Sequence, residues 1–512
     1  MQNTFAIENN SSVEQGGRPL TGGTTRAALV SGSVQFITRI LTVVLSIATA
    51  RALEPREVGT LGLAVIVMGV ISMIAYYPET AAVAMRCEER DEKLAAASVV
   101  LKSIVVTLLI ALMLLTFPVL AEYLTGKEGG GRELRQLLLV LSWTPLLELL
   151  GCYPRVVLQR RLYLNWISAA GLLQPIIFVG LAVVLLWSGY GYLGVAWASV
   201  VGTGAATVFV WLCLGWKSEV GWDGWPSKEA LRETFAGSAR VFTGGFGGFL
   251  GERLDNLLVS GAIGPTAMSF YSMAWNGSRT PANLFGSTIG FVLIPTLARI
   301  QDEPTRVKRA VHESLRYSYL LLAPMCALML VSAPLVVSYI LGDKWLPLVP
   351  CFRVMCITVL VIPILHACNA LLVSSGRAHL TGIATAVHLV ALTAFIPLGC
   401  RLWGTLGAAY GDLAAMALLT ITLYITARVS IHQVKWTLAP ALSVPVIAAT
   451  LAGSLSWSFG AYFDHGFLRL LIDIGIMFLG YPLFVAIFGG RARLLDLATL
   501  LRGALRRTAI TA

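Results

Sequence analysis

The sequence predicts an all-α polytopic membrane protein of about fourteen transmembrane helices, arranged as two six-helix lobes followed by two C-terminal helices. Three observations carry that prediction. Only 13% of the 512 residues are charged and 56% are hydrophobic, with a mean hydropathy of +0.76; soluble domains hold roughly a quarter charged residues. The apolar residues fall into runs of about 20 or more, the length that crosses a bilayer as a helix. No connection between the runs is long enough to fold as a soluble domain.

Taken in order, residues 1–26 are polar, with Asn9-Asn10-Ser11-Ser12 and Gly16-Gly17, and read as a disordered cytoplasmic tail. The first apolar run extends from Ala27 to Ala50. Its end, Ala48-Thr49-Ala50, resembles a signal-peptidase site, but the run is too long for a signal h-region and lacks the usual basic start, so it reads as an uncleaved first helix. Further runs follow at 58–84, 95–119, 134–152, 166–187 and 193–214, completing an N-lobe over 27–215. Runs at 236–262, 267–297, 316–341, 350–373, 381–399 and 406–427 form a C-lobe over 235–427. Two more, 439–460 and 468–489, make a C-terminal pair over 439–489, and 490–512 is a basic cytoplasmic tail. Within that tail, Leu497 to Arg507 sets Arg502, Arg506 and Arg507 beside leucines, which reads either as a segment lying on an anionic membrane surface or as a plain basic tail.

The net charge of +11 is a matter of topology rather than nucleic-acid binding, because the basic residues cluster between apolar runs. Summed over alternate connections, one side carries twenty-five Lys and Arg and the other eight, which places both termini inside. The eight cysteines show no CxxC and lie mostly in apolar runs, as small buried hydrophobes do. The six histidines are scattered without HExxH, so no metal or other cofactor is expected. No GxxxxGK[ST] is present to bind ATP, and Asn276-Gly277-Ser278, a formal glycosylation sequon, lies inside a span.

A weak internal repeat relates the first span to the seventh. Gly32-Ser33-x4-Thr38 aligns with Gly237-Ser238-x4-Thr243, and Pro55-x8-Ala64 with Pro265-x8-Ala274. Six crossings separate the partners, so both copies point the same way, as in transporters whose lobes are related by an axis along the membrane normal. In such folds the substrate site lies between the lobes near mid-membrane.

Ionised side chains inside a span cost on the order of 2.5–3.5 kcal/mol, and therefore mark partners or wet cavities. Arg39 lies twelve residues into the first run, roughly 18 Å at helical rise. Glu79 follows Tyr76-Tyr77-Pro78 in the second span, and Arg279 lies deep in the eighth. In the seventh, Glu252, Asp255 and Asn256 share a face by spacing while Arg253 points about 100° away. Lys102, Glu148, Arg353, Asp412 and Asp473 are nearer the span ends or isolated. The charges of spans one, two, seven and eight read either as salt bridges tying helices together or as the lining of a polar cavity between lobes. Gly244-x3-Gly248, Gly247-x3-Gly251, Gly286-x3-Gly290 and Gly407-x3-Gly411 permit close helix approach, and Pro281 frees a backbone carbonyl two residues after Arg279.

Several loose motifs recur in order along nearly the whole chain. Ala50-Arg51-Ala52-Leu53-x-Pro55-x-Glu57-x-Gly59 follows span one and Leu158-Gln159-Arg160-x-Leu162 follows span four. Asp255-Asn256-x-Leu258-x3-Ala262-x-Gly264 precedes Tyr271-x2-Ala274, with Leu341-Gly342-x2-Trp345 and Ser375-Gly376-Arg377 beyond. The pattern resembles the polysaccharide-transporter (Wzx-type) branch of the multidrug/oligosaccharidyl-lipid/polysaccharide exporter (MOP) superfamily. That resemblance implies a flippase for undecaprenyl-pyrophosphate-linked oligosaccharide in the bacterial inner membrane, serving exopolysaccharide, capsule or lipopolysaccharide synthesis, with polymerase and export proteins as pathway partners. Most relatives carry glycine where this chain has Thr80 after Glu79, a departure that weighs against carrying a role over to Glu79 by analogy.

For such a cargo, Arg39 and Arg279, one per lobe, and Arg253 are the substrate-binding candidates, because guanidinium groups bind phosphate oxygens in a fork. Glu79, Glu252, Asp255 and Asn256 are the coupling or gate candidates, which would link transport to an H+ or Na+ gradient or to the membrane potential. A cation-coupled drug exporter of the same fold, or a polysaccharide polymerase or ligase, are the rival readings; the second would need a larger outward loop than the short glycine-rich one near 120–133.

Overall fold

Inside hydrocarbon each backbone N–H and C=O has to be satisfied by the segment that carries it, which makes the helix the solution for a chain of this composition. The computed structural model describes residues 20–84, 91–125, 130–215, 225–430, 439–460 and 466–511, and among these every regular element is helical. The N-terminal stretch 1–19 and the basic positions Arg86, Arg90, Lys127, Lys217 and Lys435 lie outside the described residues.

Helices α1 (Leu20–Ala52), α2 (Pro55–Ala84) and α3 (Asp91–Thr125) are the first three crossings. The fourth is bent: α4 (Gly131–Leu141), α5 (Trp143–Leu150) and α6 (Cys152–Arg160) follow one another with a 41° change of direction before Cys152. Next come α7 (Leu164–Trp187), α8 (Gly191–Gly215), α9 (Lys228–Ile263), α10 (Pro265–Arg299) and α11 (Pro304–Val331). After α12 (Ala333–Ile340) a 3-10 turn, Asp343–Leu348, leads into α13 (Val349–Val359) and α14 (Ile362–Ser374). Finally α15 (Ala378–Ser430), α16 (Ala439–Gly460) and α17 (Phe467–Thr511) complete the chain.

Local chemistry sets the turns. Pro55 and Pro265 occupy first helical positions, where a missing N–H costs nothing. Glu57 folds back to accept from the Glu54 backbone N–H at 2.9 Å, and Ser227 caps α9 by accepting from Ala230 N–H. The 53-residue α15 is a helical hairpin: Trp403 and Gly404 leave helical geometry, and the two halves run back along each other. A Cβ at Gly399 or Gly407 would overlap the other's backbone, and His388 Nδ1 lies 3.3 Å from the Ala415 carbonyl. Only glycine permits that approach. In α17, Gly490 takes φ 71° and the helix resumes beyond it through the basic tail.

Length and apolar character mark nine of the described helices as able to cross a membrane, or ten with the bent fourth crossing. That criterion does not fix the expected fourteen. It counts α15 once although the helix doubles back, and α1, α9 and α10, which are 33, 36 and 35 residues long, stand outside its count.

Several packing relations of the first half of the chain recur in the second. α1 lies along α7, and α9 lies along the first half of α15, where Leu389 meets Gly251. α2 packs on α3 and on α4 to α6, while α10 packs on α11 and on α13 and α14. Across the middle, α2 runs against α9 and α10, with Phe249 beside Gly69 and Tyr77 edge-on to Phe242 at 5.3 Å. The last two helices dock on α11: Asp473 of α17 is fully buried and accepts from Ser332 and Ser456, and Tyr481 donates to the Leu320 carbonyl at 2.9 Å.

At the end of the bundle holding the α1–α2 turn, the two halves of the chain are fastened. The final carbonyls of a helix have no partner within it. Here Lys344 Nζ donates to Arg51 O at 3.1 Å and Leu53 O at 2.7 Å, and Trp345 Nε1 donates to Ala50 O at 2.8 Å. In return, Arg51 caps the end of α12 through Ile340 O at 3.0 Å and Tyr339 O. Ser260 donates to Leu124 O at 2.5 Å, and α2 and α10 touch so closely that a Cβ on Gly59 would overlap the Pro265 carbonyl.

Candidate functional site

Two groups of buried charges stand among these helices. The first spans the α9–α10 hairpin and α15. The turn at Gly264-Pro265 folds α10 back on α9, which brings Tyr271 opposite Asp255. Asp255 is 2% exposed. One of its oxygens accepts from the Asn256 backbone N–H at 2.8 Å and the Asn256 amide at 3.0 Å, and the other accepts from the Tyr271 hydroxyl at 3.1 Å. Asp412, from the second half of α15, is also buried and close enough for its charge to act on Asp255. One Asp412 oxygen, Oδ2, has no hydrogen-bond partner among the described residues.

Arg279 is the cation of this group. It lies one helical turn after Trp275 and stacks over the indole at 4.1 Å. Its charge reaches Asp255, Asp412, His366 and His388. A guanidinium held by an aromatic face, with two carboxylates nearby but no direct ion pair to either among the described residues, can meet an incoming anion.

The second group lies in the first half of the chain. Glu79 is 1% exposed, with Lys102 Nζ at 3.0 Å and Arg155 Nε at 3.2 Å. Arg155 also donates to the Glu148 carbonyl at 2.6 Å. Beside these residues is a cavity of about 410 Å³, lined by Ser72, Tyr76, Glu148, Gln159 and Gln174 together with the ion pairs.

The structure thus brings Asp255, Asn256 and Arg279 together and sets Glu79 in a separate cluster. Glu252 and Arg253 are exposed on α9 and do not join the buried face that holds Asp255 and Asn256, because the neighbours of α9, α15, α2, α3 and α10, leave that part of its surface uncovered. Arg39 is exposed on α1, whose neighbour is α7. Asp412, Lys102 and Glu148 had shown only as charges isolated in apolar spans. Arg155 was hidden differently: it reads as a loop residue after the fourth span, but the bend before Cys152 carries the helix on to Arg160 and folds Arg155 back onto Glu79. The pair Gly151 and Pro154 is the signal of that bend.

Comparison with known proteins gives the family. The chain is 22% identical over 176 residues to the lipopolysaccharide biosynthesis protein WzxC of Escherichia coli (strain K12), an alignment covering 34% of this chain and 36% of that protein. It therefore spans about a third of the length of that curated relative. The fold is similar to a structure titled lipid II flippase MurJ, inward closed conformation, with a TM-score of 0.72 and 13% identity over 90% of this chain and 98% of that one. It is also similar to an inward-facing multidrug resistance MATE family transporter of the MOP superfamily, with a TM-score of 0.63 and 17% identity over 79% and 98% of the two chains. The family model described as polysaccharide biosynthesis protein matches residues 48–350, more than half of the sequence, and the chain belongs to that family.

Proposed function

We propose that this protein is a flippase that moves an undecaprenyl-pyrophosphate-linked oligosaccharide from the cytoplasmic to the periplasmic leaflet of a bacterial inner membrane. The observation that carries this reading is Arg279, stacked on Trp275 with its charge acting on the buried Asp255 and Asp412, in a polysaccharide biosynthesis family member. The diphosphate is the part of such a cargo that is most costly to move through hydrocarbon, and a permanently protonated guanidinium answers that cost. Arg279 takes the diphosphate from the C-lobe, 235–427, and Arg39 from the N-lobe, 27–215, with Arg253 as a further contact on the exposed face of α9.

Asp255, Asn256 and Asp412 take the coupling role, holding H+ or Na+ and so altering the hold on Arg279. Glu252 and Glu79 are the remaining gate candidates. The lobes rock in turn about the α2 seam with α9 and α10, and the fastened α1–α2 end is the closed, periplasmic side of a state that admits cargo from the cytoplasm. Both termini are then cytoplasmic, and polymerase and export proteins act on the delivered glycan.

Reconstitution into liposomes with a labelled lipid-linked oligosaccharide tests the proposal. Wild-type protein should expose the label to an outside reagent, and Arg279→Ala should lose at least nine-tenths of that rate while inserting normally, an effect of about 1.4 kcal/mol or more on the transition state. Equal flipping by Arg279→Ala and wild type, or drug efflux without any lipid flipping, would overturn it.

A further inference from the structure

The cavity beside Glu79 has a composition that the diphosphate does not explain. Its volume of about 410 Å³ falls within the range of small-molecule pockets. Four ionisable side chains contribute to it, Glu79 and Glu148 against Lys102 and Arg155, so their formal charges cancel. Both cations are already engaged by carboxylate or carbonyl oxygens. Lys102 is 1% exposed and committed to Glu79, and Arg155 is committed to Glu79 and to the Glu148 carbonyl.

Besides the Glu148 carboxyl, what remains facing the cavity is a mixed set of neutral donors and acceptors. Gln159 comes from α6 and Gln174 from α7, the second steadied by the Thr203 hydroxyl at 3.2 Å. Ser72 stands one turn before Tyr76, whose ring is half exposed. An amide both donates and accepts, as does each hydroxyl of a sugar, and an aromatic face offers an apolar platform to the C–H side of a pyranose ring. The buried ion pairs behind them keep the bend before Cys152 in place and so hold Gln159 in register with Gln174.

We propose that this cavity is a carbohydrate subsite, taking an uncharged, hydroxyl-rich sugar unit through Gln159, Gln174 and Tyr76. The assignment rests on the flippase reading above and divides the cargo: sugar on this cavity, diphosphate on Arg279. Recognition of the glycan then resides in the first half of the chain, and recognition of the carrier in the second.

The test uses the full chain in detergent micelles and two probes. One is the lipid-linked oligosaccharide pool extracted from cells deleted for this protein; the other is undecaprenyl diphosphate without sugar. Gln159→Ala and Gln174→Ala should each weaken binding of the glycosylated pool roughly three- to tenfold, the size of one neutral hydrogen bond. Tyr76→Ala should weaken it likewise, and Tyr76→Phe, which keeps the ring, should not. All four variants should bind undecaprenyl diphosphate within twofold of wild type and keep its unfolding midpoint, whereas Arg279→Ala should lose both probes. Unchanged binding of the glycosylated pool by the cavity variants, or an equal loss of both probes, would overturn the subsite and leave the flippase reading standing. A deletion strain that accumulates no lipid-linked glycan would overturn the flippase reading and the subsite with it.

Discussion

Lys102 is the place where the energetics of this fold can be measured most directly. Glu79 and Lys102 are each 1% exposed, and the carboxylate has its second partner in Arg155, which is 22% exposed. Removing one member of a buried pair leaves an uncompensated charge and costs about 3–5 kcal/mol, whereas replacing both members by apolar residues is often nearly neutral. Lys102→Met keeps the length of the side chain and deletes the charge. Arg155 stays beside Glu79 in that variant, so the expected loss lies at the lower end, about 3 kcal/mol, or roughly a hundredfold in the folded-to-unfolded ratio. In Glu79→Leu/Lys102→Met the orphaned carboxylate is gone and Arg155 can turn toward the cavity, so most of that stability should return. Denaturant unfolding of the purified protein in micelles reads both variants and closes a double-mutant cycle with Glu79→Leu. A Lys102→Met protein within about 0.5 kcal/mol of wild type, the scatter of an ordinary surface substitution, would refute the reasoning. So would a double variant as unstable as the sum of the singles.

Two further outcomes concern the fastened end of the bundle. Gly59→Ala puts a methyl group into the Pro265 carbonyl; overpacking of this kind costs about 1–3 kcal/mol and should lower the unfolding midpoint, together with the fraction of molecules in the closed state. An unaltered midpoint would mean that α2 and α10 separate there without cost. Trp345 is fully buried and donates to Ala50 O, so Trp345→Phe should cost about 1–3 kcal/mol by stranding a helix-end carbonyl. Lys344→Met, whose side chain is more exposed, should cost under about 1 kcal/mol. Equal effects of the two would argue against the burial ranking.

Much of the architecture was legible because lipid allows so few alternatives. Apolar runs longer than a bilayer is thick have to be helices, and the order of helices follows the order of runs. The site was legible in part. Asp255 and Asn256 share the buried face that their spacing predicts, but Glu252, one turn earlier, is exposed, because spacing gives a face and not the neighbours that cover it. Arg279 drew attention by its depth alone. Asp412 did not, since what gives it meaning is the fold-back of α15, which returns it toward residues 157 and 133 positions earlier, Asp255 and Arg279.

By itself, then, the sequence determined that this is a helical membrane protein and which intramembrane charges are costly enough to require an explanation, and it offered only a weak repeat between its two halves. Those conclusions rest on composition and period, which are local properties. Only the tertiary structure decided how the charges are shared: Glu79 with Lys102 and Arg155 in one half, Asp255 with Arg279 and Asp412 in the other. The physical reason is that an ion pair is fixed by distances of a few ångströms between helices far apart in sequence, and a bend before Cys152 or a reversal at Gly404 sets those distances without leaving a periodic trace.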